Sequence, residues 1–232
     1  MTVLHYFNGR GRAETTRWML AANQVAFENA VIETPAQMAA LRASGLLPFD
    51  QIPLLEIDGH AISQSSAMIR YLARRGDLYG DTSECALWCD MTAGVAADLS
   101  EAPMQAAFLP TPEQAHTLIS TRFAKFAPLL EARLNENATG FVAGRRLTFA
   151  DIVLAEALSG CLDRVPDLLD PYLGLANLYR HVTGLPGIAA YLASQQRHPV
   201  PDDEYVIDVA RVLQRALPSH FPEADRFVLA QG

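Results

Sequence analysis

The rhythm of apolar and polar positions changes about a third of the way along the chain. Up to Gly80, short apolar runs alternate with helical spacings. Thr2–Phe7 reads as a strand, Arg12–Asn23 as a helix and Phe27–Ile32 as a second strand. Pro35–Ala43 predicts a short helix, because Thr34 can cap it and a proline suits its first position. Pro53–Ile57 and Ala61–Ser63 flank Asp58-Gly59, the strongest hairpin signal in the chain. Gln64–Arg74 is helical again, with Ala67, Tyr71 and Arg74 on one spacing and Ile69 and Leu72 beside them. The order βαβ then ββα predicts a small mixed sheet with helices on its faces.

Beyond Gly80 the strand pattern stops. Ile119, Phe123, Phe126, Leu130 and Leu134 recur every three or four residues, as along one face of a long helix. Thr148-Phe149-Ala150-Asp151 has the logic of a capping box, with Asp in place of Glu, ahead of an apolar helix through Ile152, Ala155, Leu158 and Leu162. Pro186, Pro199, Pro201 and Pro218 punctuate shorter helices. The expected organisation is an α/β domain over residues 1–80 and an all-helical domain over residues 83–232, joined near Leu78–Thr82.

Composition narrows the partners. Half of the 232 residues are hydrophobic, enough for a large core in one large or two small domains. A net charge of −8, spread without clusters, argues against nucleic acid or an anionic membrane as the main partner. No apolar run approaches the ~20 residues of a membrane span. The start, M-T-V-L-H-Y-F, lacks the basic and long apolar regions of a secretory signal, so a cytoplasmic location is expected. Cys85, Cys89 and Cys161 form no C-x-x-C pair and have no histidine partner nearby. They read as buried, reduced thiols, and no metal is expected. Asn137-Ala138-Thr139 matches a glycosylation sequon and is read as coincidence.

Two stretches carry chemistry. In Leu4–Glu14, L-H-Y-F-N-G-R-G-R-A-E, a strand ends on Tyr6 and Phe7 facing a glycine–arginine loop. In Gln51–Ser66, Q-I-P-L-L-E-I-D-G-H-A-I-S-Q-S-S, Pro53 opens a strand and Gln64-Ser65 opens a helix. A cis Ile52–Pro53 bond would turn the Ile52 backbone outward, where it could pair with an extended peptide. The helix start offers free N–H groups and a positive dipole end to a carboxylate. In isolation, a tyrosine at a strand end is a core residue and an arginine at a helix start is solvated.

Together with Q-S-S-A-M-I-R-Y-L-A, L-Y-G and D-M-T-A-G-V-A-A-D-L, these motifs occur in order. The chain resembles a cytosolic glutathione S-transferase of the tyrosine type, nearest the alpha class with some sigma-like features, from the first strand to about Leu217. The resemblance implies a thioredoxin-like N-terminal domain, an all-α C-terminal domain and a homodimer. It implies glutathione as co-substrate and conjugation of its thiolate to hydrophobic electrophiles. Tyr6 would donate a hydrogen bond to that thiolate and Arg12 would add a positive field, while Arg10 and Arg17 would brace the structure. Arg42 and Gln51 would hold the glycine carboxylate, and the backbone of Ile52, next to Pro53, the cysteinyl unit. Gln64 and Ser65, the latter where the family usually has threonine, would hold the γ-glutamyl end. Asp98 would reach the ligand across the dimer, with Lys125 in place of a usual arginine. Phe7, Gly9, Met104, Phe108, Ile207, Ala210 and Leu213 would line the electrophile pocket, beneath a lid over Asp203–Leu217. Phe49 would insert into the partner subunit. A peroxidase or isomerase using the same thiolate, and a non-catalytic relative that kept the fold, are the alternatives. A thioredoxin-like redox function fails, because no cysteine lies near Asn8–Arg12.

Overall fold

A computed structural model describes residues 1–223 and residue 226. Residues 224, 225 and 227–232, the end of the expected helical domain, lie outside the described residues. Four strands form one sheet: β1 (Val3–Tyr6), β2 (Glu28–Val31), β3 (Leu54–Ile57) and β4 (His60–Ser63). Their order is β2-β1-β3-β4, with β1 parallel to β2 and the other pairs antiparallel. The expected Arg12–Asn23 helix divides in two. A 3-10 turn, Gly11–Ala13, precedes α1 (Glu14–Ala22), and Gly11 at φ +40° makes the bend. Helix α2 (Pro35–Ala43) has the expected bounds, closed by a reciprocal Thr34–Gln37 capping box. The β3–β4 hairpin turns at Asp58 and Gly59, both at positive φ, and the Ile52–Pro53 bond is cis. Helix α3 (Ser65–Arg75) ends this part of the chain.

Only helices follow among the described residues: α4 (Ser83–Ala106), α5 (Pro112–Asn137), α6 (Phe149–Leu162), α7 (Leu173–Thr183), α8 (Pro186–Leu192) and α9 (Asp203–Leu213). Thr82, Thr111 and Asp202 cap α4, α5 and α9 by accepting the N–H of Cys85, Gln114 and Tyr205. Helix α6 is apolar on nearly every side and therefore runs through the middle, packed on α4, α1 and α7. Its capping box is as expected. Asp151 accepts from the Thr148 N–H and hydroxyl, each at 2.8 Å, and from the Val142 N–H at 2.9 Å.

All three cysteines are buried and unpaired, and burial pushes Cys89 and Cys161 up to about 12. Asn137 of the sequon is a structural residue, donating to the carbonyls of Phe141 and Gly144. Among the described residues, no helix is long and apolar enough to cross a membrane, and no cluster of metal-ligating side chains occurs.

Candidate active site

Strand β1, an inner strand of the sheet, ends on Tyr6, whose side chain is almost fully buried. The loop then doubles back, and the Arg12 N–H donates to the Tyr6 oxygen at 3.0 Å. Only glycine fits at position 11, because an added methyl group would overlap the Tyr6 hydroxyl. Burial raises the Tyr6 pKa, against the smaller lowering effects of the Arg12 N–H, the Tyr205 hydroxyl and the Arg17 and Arg12 charges. Tyr6 is therefore a neutral phenol at neutral pH, a donor rather than a base.

Three arginines fix the loop in different ways. Arg17, with 1% of its side chain exposed, donates to the carbonyl of Gly9 at 2.9 Å, to Asn29 at 2.9 Å and to Glu14 at 3.1 Å. Arg10 donates to the His198 carbonyl at 2.7 Å and pairs with Asp163. Arg12 points its guanidinium outward, 60% exposed, into a 2.7 Å pair with Glu101 of α4. Its contact with Tyr6 is made by its backbone, a detail the sequence did not disclose.

Beside this loop lies the Pro53 segment. Gln64 holds the junction of β4 and α3 at φ +70°, a backbone region a glutamine enters at a cost of about 1–3 kcal/mol. Its side-chain amide donates to Gln51 at 2.8 Å, so the two glutamines adjoin across the cis-proline turn. The Ser65 hydroxyl donates to the Arg12 carbonyl at 2.8 Å and ties the start of α3 to the Tyr6 loop. Tyr6, Arg12, Gln51, Gln64 and Ser65 are thus linked, directly or through one another. Arg42 stands at the edge, paired with Asp50 at 2.6 Å.

A cavity of about 250 Å³ opens over Tyr6, walled by Phe7, Gly11, Arg12, Met104, Phe108, Tyr205 and Val209. Phe7, Met104 and Phe108, expected in the electrophile pocket, are among these walls. On α9 the expected Ile207, Ala210 and Leu213 are not among these walls. Tyr205 and Val209 face the cavity, whereas Ala210 packs with Val206, Leu217, Phe221 and Ala107, with Ile207 at that cluster's margin. Leu213 packs against the main core instead. Tyr205 and Val209 are an i, i+4 pair, and periodicity alone does not say which of two adjacent stripes meets the cavity. The Tyr205 ring fills the space beside Gly9, where an added methyl group would overlap it.

Three expected residues lie apart from this cluster. Asp98 is exposed, and its carbonyl accepts from Arg122 at 2.9 Å. The Lys125 ammonium lies 4.6 Å above the Phe126 ring. Phe49 is 67% exposed.

A thioredoxin-like sheet followed by an all-helical unit, with a cis-proline turn and a helix start meeting beside a buried phenol, defines a two-part protein shaped to hold a small ligand between loop and helices. Comparison with known proteins gives its family. The glutathione S-transferase N-terminal domain model matches residues 2–74 and the C-terminal domain model residues 97–195. The chain is 37% identical to glutathione S-transferase 3 of Gallus gallus, covering 91% of this chain and 94% of that one. It is 35% identical to glutathione S-transferase alpha-3 of Rattus norvegicus, covering 90% and 97%. The glutathione S-transferase of Ascaris lumbricoides superposes with a TM-score of 0.73 at 29% identity, covering 87% and 99%. The chain belongs to the glutathione S-transferase family, and it is a transferase that conjugates glutathione.

Proposed function

We propose that this is a tyrosine-type transferase, nearest the alpha class, in which Tyr6 stabilises the glutathione thiolate for attack on hydrophobic electrophiles. The observation that carries this reading is a buried, neutral Tyr6 phenol whose oxygen already accepts the Arg12 N–H, at the floor of a largely apolar cavity. A free thiol has a pKa of about 8.5, and lowering it by two units needs about 2.7 kcal/mol of preferential thiolate stabilisation. A hydrogen bond to a charged group supplies about 1.5–3 kcal/mol, so one phenol nearly suffices, with the field of Arg12 adding to it.

In this reading Arg42 and Gln51 hold the glycine carboxylate. The Ile52 backbone beside Pro53 pairs with the cysteinyl unit, and Gln64 and Ser65 take the γ-glutamyl end. Phe7, Gly9, Met104 and Phe108 receive the electrophile together with Tyr205 and Val209. The protein works in the cytoplasm, in detoxification, as a homodimer in which Phe49 anchors the partner and Asp98 and Lys125 serve the opposite site. The domain boundary falls between Gly80 and Ser83, where Thr82 caps α4.

Tyr6→Phe tests the core of the proposal. Conjugation should slow by about 10- to 1,000-fold, the range for losing one donor to a developing anion. Retention on immobilised glutathione should persist. Undiminished turnover in a chemistry-limited assay would remove Tyr6 as the activator.

A further inference from the structure

A second cavity, of about 240 Å³, adjoins the Gly11–Arg12 turn between α1 and α3 of the sheet domain and α4 and α6 of the helical one. Gly11, Arg12 and Met104 are walls of both cavities and form the boundary with the space over Tyr6. The cavity exists because the facing helices carry small residues there: Ala93, Gly94, Ala96 and Ala97 on α4, Ala157 and Gly160 on α6. A methyl group added at Gly94 would meet no atom within 4 Å, so close packing does not require a glycine at this place. Trp18, Ile69 and Val153 extend the apolar wall. An engineered apolar cavity of about 150 Å³ takes up benzene, so a larger, bicyclic body fits here.

Part of the wall is polar, and its groups are not fully paired. Glu156 of α6 is 8% exposed. One of its oxygens accepts from the Thr15 hydroxyl at 2.7 Å, and the other has no hydrogen-bond partner among the described residues. Burial, then the Glu14 charge, raise the Glu156 pKa, so this acid keeps its proton at neutral pH and has an O–H to give. Arg197 stands in the same wall. Its guanidinium donates to the Ser159 hydroxyl at 3.2 Å, while its Nε is buried without a partner among the described residues. The Asp163 carboxylate is 4.0 Å from Arg197 and is already paired with Arg10. Glu14 is matched by Arg17, and Arg164 donates to a neutral group, the Pro201 carbonyl. Positive charge is therefore in excess here. A buried donor without an acceptor is costly, and an anion that accepts from a charged donor gains most from filling the gap.

We propose that this cavity between the domains is a second binding site, separate from the one over Tyr6, for a compact apolar molecule that ends in a carboxylate. The carboxylate oxygens take the Arg197 Nε–H and the Glu156 O–H, and the apolar body lies among the small residues of α4 and α6. The inference goes beyond the transfer reaction and does not depend on which group activates glutathione.

The full-length protein is titrated with 2-naphthoate by calorimetry, in the presence of saturating S-hexylglutathione, whose tripeptide and apolar tail occupy the glutathione site and the cavity over Tyr6. Saturable binding of a single 2-naphthoate per chain is expected. No binding, or binding that S-hexylglutathione abolishes, would overturn the proposal. Gly94 is exposed at the cavity's rim, so Gly94→Leu narrows the cavity without burying a new side chain in the core, and it should weaken binding. Arg197→Met should weaken it by about tenfold to a hundredfold, the worth of a hydrogen bond to a charged group. Wild-type affinity in both variants would place the probe elsewhere and overturn the site. The cation 2-naphthylmethylamine, with the same rings, should bind more weakly than 2-naphthoate, and the reverse order would overturn the choice of a carboxylate. Glu156 is faced by Glu14 and Thr15 of α1, by Arg10 and by Asp163, and the acid titrates near pH 8. Affinity for 2-naphthoate should therefore be level below about pH 8 and fall above it, as Glu156 loses the proton it donates. Glu156→Gln keeps a neutral donor and should bind with that decline removed. An unchanged pH slope in Glu156→Gln would overturn the part given to Glu156.

Discussion

Replacing Arg17 with methionine should cost the protein a large share of its stability and loosen the loop that carries Tyr6's partners. Arg17 and Glu14 form a pair with 1% and 4% of their side chains exposed. Glu14 is shared further, accepting from Trp18 at 3.2 Å and from the Tyr191 hydroxyl at 2.9 Å. Methionine preserves much of the arginine's apolar stem but leaves the Glu14 carboxylate buried without its counter-charge. Removing one partner of such a pair typically costs about 3–5 kcal/mol. Against a total stability of about 5–15 kcal/mol, that is about a fifth of the margin at the least and all of it at the most. The loop suffers separately, because the Gly9 carbonyl loses its 2.9 Å donor and Gly9 abuts the Tyr205 ring. Urea unfolding should show a lower midpoint with an unchanged slope. Turnover of the folded fraction should fall as well. Adding Glu14→Gln to Arg17→Met should recover part of the loss, since the stranded charge is then gone. A loss below about 1 kcal/mol in the single variant, with no recovery in the double, would refute the account.

Substitutions at three further positions probe other parts of the structure. Glu156 is pushed up to about 8, first by burial and then by Glu14, with Thr15 and Arg10 opposing and Asp163 adding to the rise. It is protonated in the folded chain where an unfolded glutamate, with a pKa of about 4.3, is ionised, so stability falls as pH climbs between those values. Glu156→Gln should flatten that decline, and urea midpoints that keep the wild-type pH slope would contradict it. Ser65→Pro removes an N–H at a helix position where proline is tolerated, and should weaken glutathione binding more than Ser65→Ala, for which a loss of roughly 1 kcal/mol is expected. Equal affinities by titration calorimetry would count against a backbone-donor site. Phe49→Ala should shift the protein towards monomer, because a buried aromatic anchor is commonly worth about 3–5 kcal/mol. A sedimentation profile identical to wild type would release Phe49 from that role.

What was legible in the sequence was local. The Thr34–Gln37 and Thr148–Asp151 boxes, the Asp58-Gly59 turn and the Pro35 helix start are each decided by residues within a few positions of one another. The cis Ile52–Pro53 bond was readable for the same reason. Distant pairings were not. Arg12 was readable as a charge near Tyr6, but not the pairing of its guanidinium with Glu101 or the contact of its backbone with Tyr6. Gln64 carried no sign of its positive φ, because glutamine is not a residue selected for that region. Tyr205 was hidden because α9 offers two adjacent apolar stripes, and the choice between them depends on the gap left by Gly9 and Gly11, almost two hundred residues away in the chain.

The same distances explain why the active loop belongs to both halves of the molecule. Its backbone is held from the sheet side, through Ser65 on the Arg12 carbonyl and Arg17 on the Gly9 carbonyl. Its side chains are held from the helical side, Arg10 by Asp163 and the His198 carbonyl and Arg12 by Glu101 of α4, while Arg17 of α1, which holds the Gly9 carbonyl, is itself tied through Glu14 to Tyr191 of α8. These are charge-assisted bonds, stronger than neutral ones and demanding in geometry. A thioredoxin-like unit cut away from its helices would keep Tyr6 on β1 but lose the arginine contacts that shape the turn around its hydroxyl. The helical domain therefore does more than wall the electrophile cavity. It completes the loop that presents the Arg12 N–H to Tyr6.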